Sequence, residues 1–214
     1  MKTERTTDEL IGVLRQGLAP VRPLRPPMLR ALSWLGLVTL VVGAAVLRWA
    51  NPAIIAARTA EARLALECAA ALLTGITAVL AAFYLSLPDR TRLWRYAPLP
   101  PLLLWIGTSG LGCLQYGAGL GPAGDRLGES SHCFMFIVLV SAPLAVLLYA
   151  VLRRARPLEP FPVALCAALG VAALAAFVLQ FFHPFDTTVI DLSAHLAAVA
   201  VVVALAGLSR RALA

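Results

Sequence analysis

The sequence predicts an all-α integral membrane protein, a bundle of six transmembrane helices preceded by a short cytoplasmic amphipathic helix. Three observations predict it. Apolar residues make up 60% of the 214 positions and charged residues only 14%, whereas a soluble domain is nearer half apolar and a quarter charged. The mean hydropathy is +0.84. Six apolar stretches come close to the roughly 20 residues that a helix needs to cross a hydrocarbon core, and Pro, Gly and Asn separate them.

The first element is the amphipathic helix. Thr7-Asp8-Glu9 precedes an apolar pattern at Leu10, Ile11, Val13, Leu14 and Leu18. Thr or Asp as N-cap, acids in the first turn and apolar spacings of three and four predict a helix there. Arg15 and Gln16 mark its other face, and Ala19-Pro20 ends it. Pro23, Pro26 and Pro27 then make a stiff, extended connector carrying Arg22, Arg25 and Arg30. The spacing leaves two readings open. The helix lies on the membrane surface or against the ends of the spans, or it docks its apolar face into a groove on a cytoplasmic protein.

The spans follow, near Ala31–Leu47, Leu64–Leu87, Ala97–Ala118, His132–Leu152, Phe161–Phe182 and Thr188–Leu208. The first begins after the Arg- and Pro-rich connector, with no cleavage site of signal-peptide type, and reads as a retained signal anchor. Asn51-Pro52 closes the first span and Pro88-Asp89 the second. Pro98, Pro100 and Pro101 suit a helix start, where a missing N–H costs little. Gly119, Gly121, Pro122 and Gly124 make a loop after the third span. Pro157, Pro160 and Pro162 precede the fifth, and His183-Pro184 follows it. The chain thus divides into a cytoplasmic segment 1–30, a membrane domain 31–208 and a cytoplasmic tail 209–214.

Orientation comes from counting basic residues by side. One side holds Lys2, Arg5, Arg15, Arg22, Arg25, Arg30, Arg90, Arg92, Arg95, Arg153, Arg154, Arg156, Arg210 and Arg211, which is 14; the other holds Arg48, Arg58, Arg63 and Arg126, which is four. Basic loops stay cytoplasmic during insertion, so both termini are expected inside. The net charge of +7 therefore reads as topology and not as a nucleic-acid surface. Lipid is the implied solvent, and no direct nucleic-acid contact is expected.

The short loops leave no soluble domain to host a conventional enzyme, and no nucleophile, base and orienting group form a recognisable set. A small transporter or channel with a polar outer vestibule is the alternative. It asks for ionisable groups at mid-membrane depth, and no Asp, Glu, Lys or Arg lies at a span centre.

Polar residues do gather toward the outer side. Cys113 and Gln115 lie at the outer end of span three, and Ser130, Ser131, His132 and Cys133 open span four. His183 and Asp186 occupy the loop between spans five and six, and Asp191 and His195 start span six. Glu67 and Cys68 lie in the outer part of span two. Asp191 and His195 are four apart and share a helix face, so the carboxylate could orient the imidazole. His132, Cys133, His183 and His195 are ligand types suited to zinc or another borderline-soft cation, with Cys133, His183 and His195 the possible metal ligands. No CxxC or HExxH is present. A transient metal ion, thiol redox chemistry and plain hydrogen bonding all remain open, and no resident cofactor is implied. Cys166 lies a bilayer depth from Cys133, too far for a disulfide. Cys113 and Cys133 share a side, with Cys68 as a further candidate.

The run Asp8-Glu9-Leu10-Ile11, Leu14, Leu18-Ala19-Pro20-Val21-Arg22-Pro23-Leu24-Arg25-Pro26-Pro27 resembles the start of NrsF-type anti-sigma factors. These are negative regulators of extracytoplasmic-function sigma factor F in proteobacteria. Ser130-Ser131-His132-Cys133 and His183-Pro184-Phe185-Asp186, with Asp191 and His195, resemble the family's other marks. The resemblance spans essentially the whole chain. It implies a multi-pass protein of the bacterial inner membrane whose N-terminal segment holds an extracytoplasmic-function sigma factor inactive. Asp8, Leu10, Ile11, Leu14, Leu18, Arg22 and Arg25 would be the partner-binding residues. It also implies release of the sigma factor on oxidative or heavy-metal stress outside. In the family, sensing is attributed to a cysteine pair. Cys133 matches the first member, and His183-Pro184 stands where the second is expected in a Cys-Pro context. The resemblance thus leaves a mixed Cys133/His183 site, or a disulfide rerouted to Cys113 or between subunits.

Overall fold

A computed structural model of the chain describes residues 6–18, 23–115, 123–182 and 189–208. Among them, eight α-helices and two short 3-10 turns appear in the order α1 (Thr7–Gln16), α2 (Pro27–Trp49), α3 (Pro52–Ala60), α4 (Ala62–Leu85), the turn Arg92–Tyr96, α5 (Leu99–Gln115), α6 (Ala123–Leu152), the turn Arg153–Ala155, α7 (Pro160–Leu179) and α8 (Val189–Leu208). No strand occurs among the described residues. Each of the six expected spans falls on one long helix. Four of these, Pro27–Trp49, Ala62–Leu85, Phe134–Ala155 and Pro160–Leu179, are long and apolar enough to cross a membrane. Of the other two, α5 has 17 residues and α8 has 20, among which the described run Leu196–Leu205 is apolar.

Three local features differ from the sequence reading. By sequence, Asn51-Pro52 only closes the first span. It also starts the short helix α3, because Asn51 Oδ1 accepts a hydrogen bond from the Ala53 N–H at 2.9 Å and Pro52 takes the first helical position. Second, α6 begins at Ala123, so Gly124 is helical and not part of a loop. Its 11 residues before Phe134 add about 16 Å of helix beyond the apolar stretch, and Ser130 to Cys133 lie within the helix instead of opening it. Gly119, Gly121 and Pro122 lie outside the described residues. Third, the cap of α1 falls on Thr6. Its hydroxyl accepts from the Glu9 N–H at 3.4 Å while Glu9 Oε2 accepts from the Thr6 N–H at 3.1 Å. This reciprocal box satisfies two N–H groups that a helix start leaves open.

Helices α4, α6 and α8 pack around α7. Fourteen of its 20 residues are buried, and it has no polar face, as expected of a helix enclosed on all sides. Its closest neighbour is α4. The two approach at Gly75 and Gly170. A Cβ on Gly75 would fall 2.7 Å from Leu174 Cγ, and one on Gly170 would fall 2.8 Å from Val79 Cγ2 and 3.1 Å from the Val79 backbone nitrogen. Small residues permit such close helix contacts where lipid offers no hydrophobic drive. Helix α2 packs on α4, α5 on α4 and α8, and α6 on α7 and α8.

The bundle has two chemically distinct ends. The basic end carries the arginine-rich loops. There Arg30 of α2 is buried, its Nη2 donates to the Val151 carbonyl in the last turn of α6 at 2.9 Å, and its guanidinium lies 5.2 Å from the centre of the Phe83 ring. A cation suits the carbonyl end of a helix, and the ring face adds a cation–π contact. Trp94 stacks on Tyr84 with ring centres 4.1 Å apart, and Arg92 pairs with Glu159. Trp34, Phe83, Leu148 and Leu152 fill the core beneath these contacts. At the opposite, distal end a smaller core joins Ile137, Ala175, Ala176, Leu179 and Ala198.

Candidate functional site

The first candidate site is α1. Every described residue from 6 to 18 is exposed, including Leu10, Ile11, Val13, Leu14 and Leu18. At 100° per residue Leu10, Leu14 and Ile11 form one face, Arg15 and Asp8 flank it beside Ile11, and Gly12 and Gln16 lie opposite. Leu14 is 62% exposed, so this apolar face is not spent on the bundle. Of the remaining expected partner contacts, Arg25 is exposed in the connector and Arg22 lies outside the described residues.

The second candidate site is the distal end. His132 is exposed on α6, and Cys133 follows it on the same helix. Cys113 lies near the end of α5, and Asp191 and His195 occupy positions four apart on α8. The side chains of Cys113, Cys133, Asp191 and His195 lie outside the described part of the structure, as do His183 and Asp186 altogether. Among the described residues no three His, Cys, Asp or Glu side chains are placed to hold a metal ion. The candidate ligands Cys133, His183 and His195 are not part of that set.

The described residues do build a polar cluster at this end. Glu67 of α4 is 4% exposed, and its Oε1 accepts a hydrogen bond from Ser109 Oγ of α5 at 2.9 Å. Its Oε2 lies 3.6 Å from Arg63 Nη1, one turn earlier, and Arg63 Nε reaches Glu61 Oε1 at 3.2 Å. The next residue, Cys68, donates its thiol hydrogen to Gln180 Oε1 at the end of α7. Thus α4 is tied by adjacent residues to α5 and α7. Gln180 is also three positions before His183, so this contact anchors the root of the segment in which the sequence reading placed a sensor.

By sequence, Glu67 and Cys68 fall in the outer part of a span, with no role assigned to Glu67. The available signal was that Glu67 is the single acid of α4, with Arg63 four residues before it. A buried carboxylate in an apolar helix needs a named partner, and that spacing supplies one. Replacing Ser109 by alanine is expected to lower unfolding stability by about 1 kcal/mol. That lies between the ~0.6 typical of interhelical hydrogen bonds in membranes and the ~1.5 of bonds to charged groups. Denaturant titration in mild detergent measures it, and an unchanged midpoint would show that the Ser109–Glu67 bond carries no weight.

An exposed amphipathic helix is thus attached to a bundle of long apolar helices. The model of one family, NrsF, negative regulator of sigma F, matches residues 14–214. The chain belongs to the NrsF family. No curated protein and no solved structure matches it. NrsF proteins are negative regulators of sigma F, so the partner implied for this one is a sigma factor. The match covers the whole helical bundle and enters α1 at Leu14. Residues 6–13 therefore draw their meaning from the geometry of α1 and not from the family match.

Proposed function

We propose that this NrsF protein is a membrane-bound anti-sigma factor that captures an extracytoplasmic-function sigma factor on α1. The observation that carries the reading is the exposed apolar face of α1, joined by a short connector to helices of membrane-crossing length. An amphipathic helix of this kind binds by laying its apolar face in a partner's groove. Leu10, Ile11, Leu14 and Leu18 are the anchors, Asp8 borders them, and Arg22 and Arg25 supply charge at the connector. The chain crosses the bacterial inner membrane six times, with both termini cytoplasmic, as the 14-to-four distribution of basic residues favours.

In this reading the distal end faces outward and receives the stimulus, an oxidant or a heavy metal. Cys133, with His132, Cys113, His183, Asp186, Asp191 and His195, forms the sensing region. A thiolate there is the reactive form, and its oxidation or metallation changes the local charge. The route to the sigma factor runs along α4. That helix carries Glu67 and Cys68 at one end and, at the other, Phe83 against Arg30, the arginine at the root of the connector. Displacement of packed helices is a known way to convert a local change into a distant one.

Co-purification tests the capture step. The full chain is expected to retain the sigma factor, and a chain lacking residues 1–21 is expected to lose it. Retention by the shortened chain would refute docking on α1. For the sensing step, Cys133→Ser is expected to abolish induction of a sigma-dependent reporter by oxidant or metal while leaving basal repression intact. An undiminished response would remove Cys133 from the mechanism.

A further inference from the structure

A groove runs along the side of the bundle between α6, α7 and α8, with a volume of about 560 Å³. Its wall is apolar over most of its length, from Val138 past Ala142, Ala145 and Val146, with Leu205 of α8 opposite. Tyr149 and then Arg153 close it at the basic end. The distance from Val138 to Arg153 is on the order of 22 Å along the helix. That exceeds the roughly 15 Å of one hydrocarbon leaflet, so an acyl chain fits lengthwise. Arg153 lines its mouth, Arg154 follows it on the same turn, and Arg156 caps that turn. None of the three has an acidic partner among the described residues, whereas Glu159 nearby is taken by Arg92.

We infer that this groove is a binding site for an anionic phospholipid, with one acyl chain between α6 and α8 and the phosphate on Arg153 and Arg154. Charge selects the occupant. A neutral or zwitterionic lipid would fill the apolar part equally well but would leave the arginines unneutralised. A second copy of this chain would bring its own arginines to the same edge, where like charges repel. Basic pockets between membrane helices, at the level of the headgroups, are a recurrent way to recognise acidic lipids. The occupied site would brace α6 against α8 and fix the turn Arg153–Ala155, whose neighbour Val151 holds Arg30. The inference rests on the membrane placement of Phe134–Ala155 and not on sigma-factor capture, so either can fail alone.

The test is native mass spectrometry of the full chain released from nanodiscs of equal phosphatidylglycerol and phosphatidylethanolamine. The wild-type chain is expected to retain one phosphatidylglycerol in clear preference. Each arginine removed is expected to reduce that preference about fivefold, so Arg153→Gln with Arg154→Gln should nearly abolish it. Both residues are exposed, so folding is not at stake. Ala142→Trp, from an exposed position on the groove wall, should lower retention of both lipids. Equal retention of the two lipids by the wild type, or a preference that survives the double substitution, would overturn the site. So would a protein dimer appearing in place of bound lipid. Displacement by free glycerol phosphate would show that the headgroup alone binds, and would overturn the acyl-chain assignment.

Discussion

Replacing Leu10 and Leu14 together by aspartate is expected to weaken sigma-factor binding by about 10²- to 10⁴-fold. The estimate follows from burial. Both leucines are exposed in the free chain, so docking must supply their burial, at ~1.5–3 kcal/mol for each side chain. The sum of ~3–6 kcal/mol corresponds to two to four decades in Kd. A carboxylate in place of each methyl cluster adds a desolvation cost in the same direction. The substitutions leave the Thr6–Glu9 cap in place, so the helix start is retained. Gln16→Ala, on the opposite face, should change Kd by less than threefold. Titration of the purified sigma factor against the full chain in nanodiscs measures all three. If the aspartate pair binds as well as the wild type, α1 is not the docking element. Its apolar face would then belong to the membrane surface, and loss of vesicle binding by a peptide of residues 1–22 carrying the same changes would show it.

The long helices were legible because length and composition alone set them. In a bilayer every backbone polar group must be paired within the segment, so an apolar run of about 20 residues has little choice but helix. α1 was legible from period and cap chemistry, with the cap expected at Thr7 or Asp8 and found at Thr6, because adjacent Thr and Asp side chains all suit an N-cap. α3 was not legible, because Asn51-Pro52 is at once a helix terminator and a helix initiator. The start of α6 was hidden for a different reason. Asp125, Arg126 and Glu129 exclude residues 123–133 from the hydrocarbon, and a polar stretch beside glycines reads as loop even when it continues a helix past the membrane. The pairing of Glu67 with Ser109 was out of reach, because Ser109 is 42 residues away and no local pattern joins them. The pairing with Arg63 was within reach.

What the sequence pattern also withheld is which helices touch, and there the second large effect lies. Substituting Gly170 by alanine is expected to destabilise the bundle by about 1–3 kcal/mol, the range for overpacking a filled core, and Gly170→Leu to prevent accumulation of folded protein. A Cβ at Gly170 meets the branched, rotamer-restricted Val79 at 2.8 Å and the Val79 backbone nitrogen at 3.1 Å. The side chain cannot swing away freely and the backbone cannot yield without moving α4, so the two helices must separate. Gly75→Ala presents a contrast. Its nearest contacts are the Cγ and Cδ2 atoms of Leu174, at 2.7 and 2.8 Å, with the Gly170 carbonyl oxygen farther off at 3.3 Å. Leucine has more rotamer freedom than valine, so Gly75→Ala should cost less than Gly170→Ala. Val79→Ala should rescue Gly170→Ala in part, since it removes the methyl contact and leaves the backbone one. Thermal unfolding in detergent of the three single variants and the double variant decides the matter. A Gly170→Ala protein as stable as the wild type would mean that α4 and α7 are not in close contact there. The route proposed from Glu67 and Cys68 to Arg30 would then lose its rigid core, because that route requires α4 to move as one body with α7.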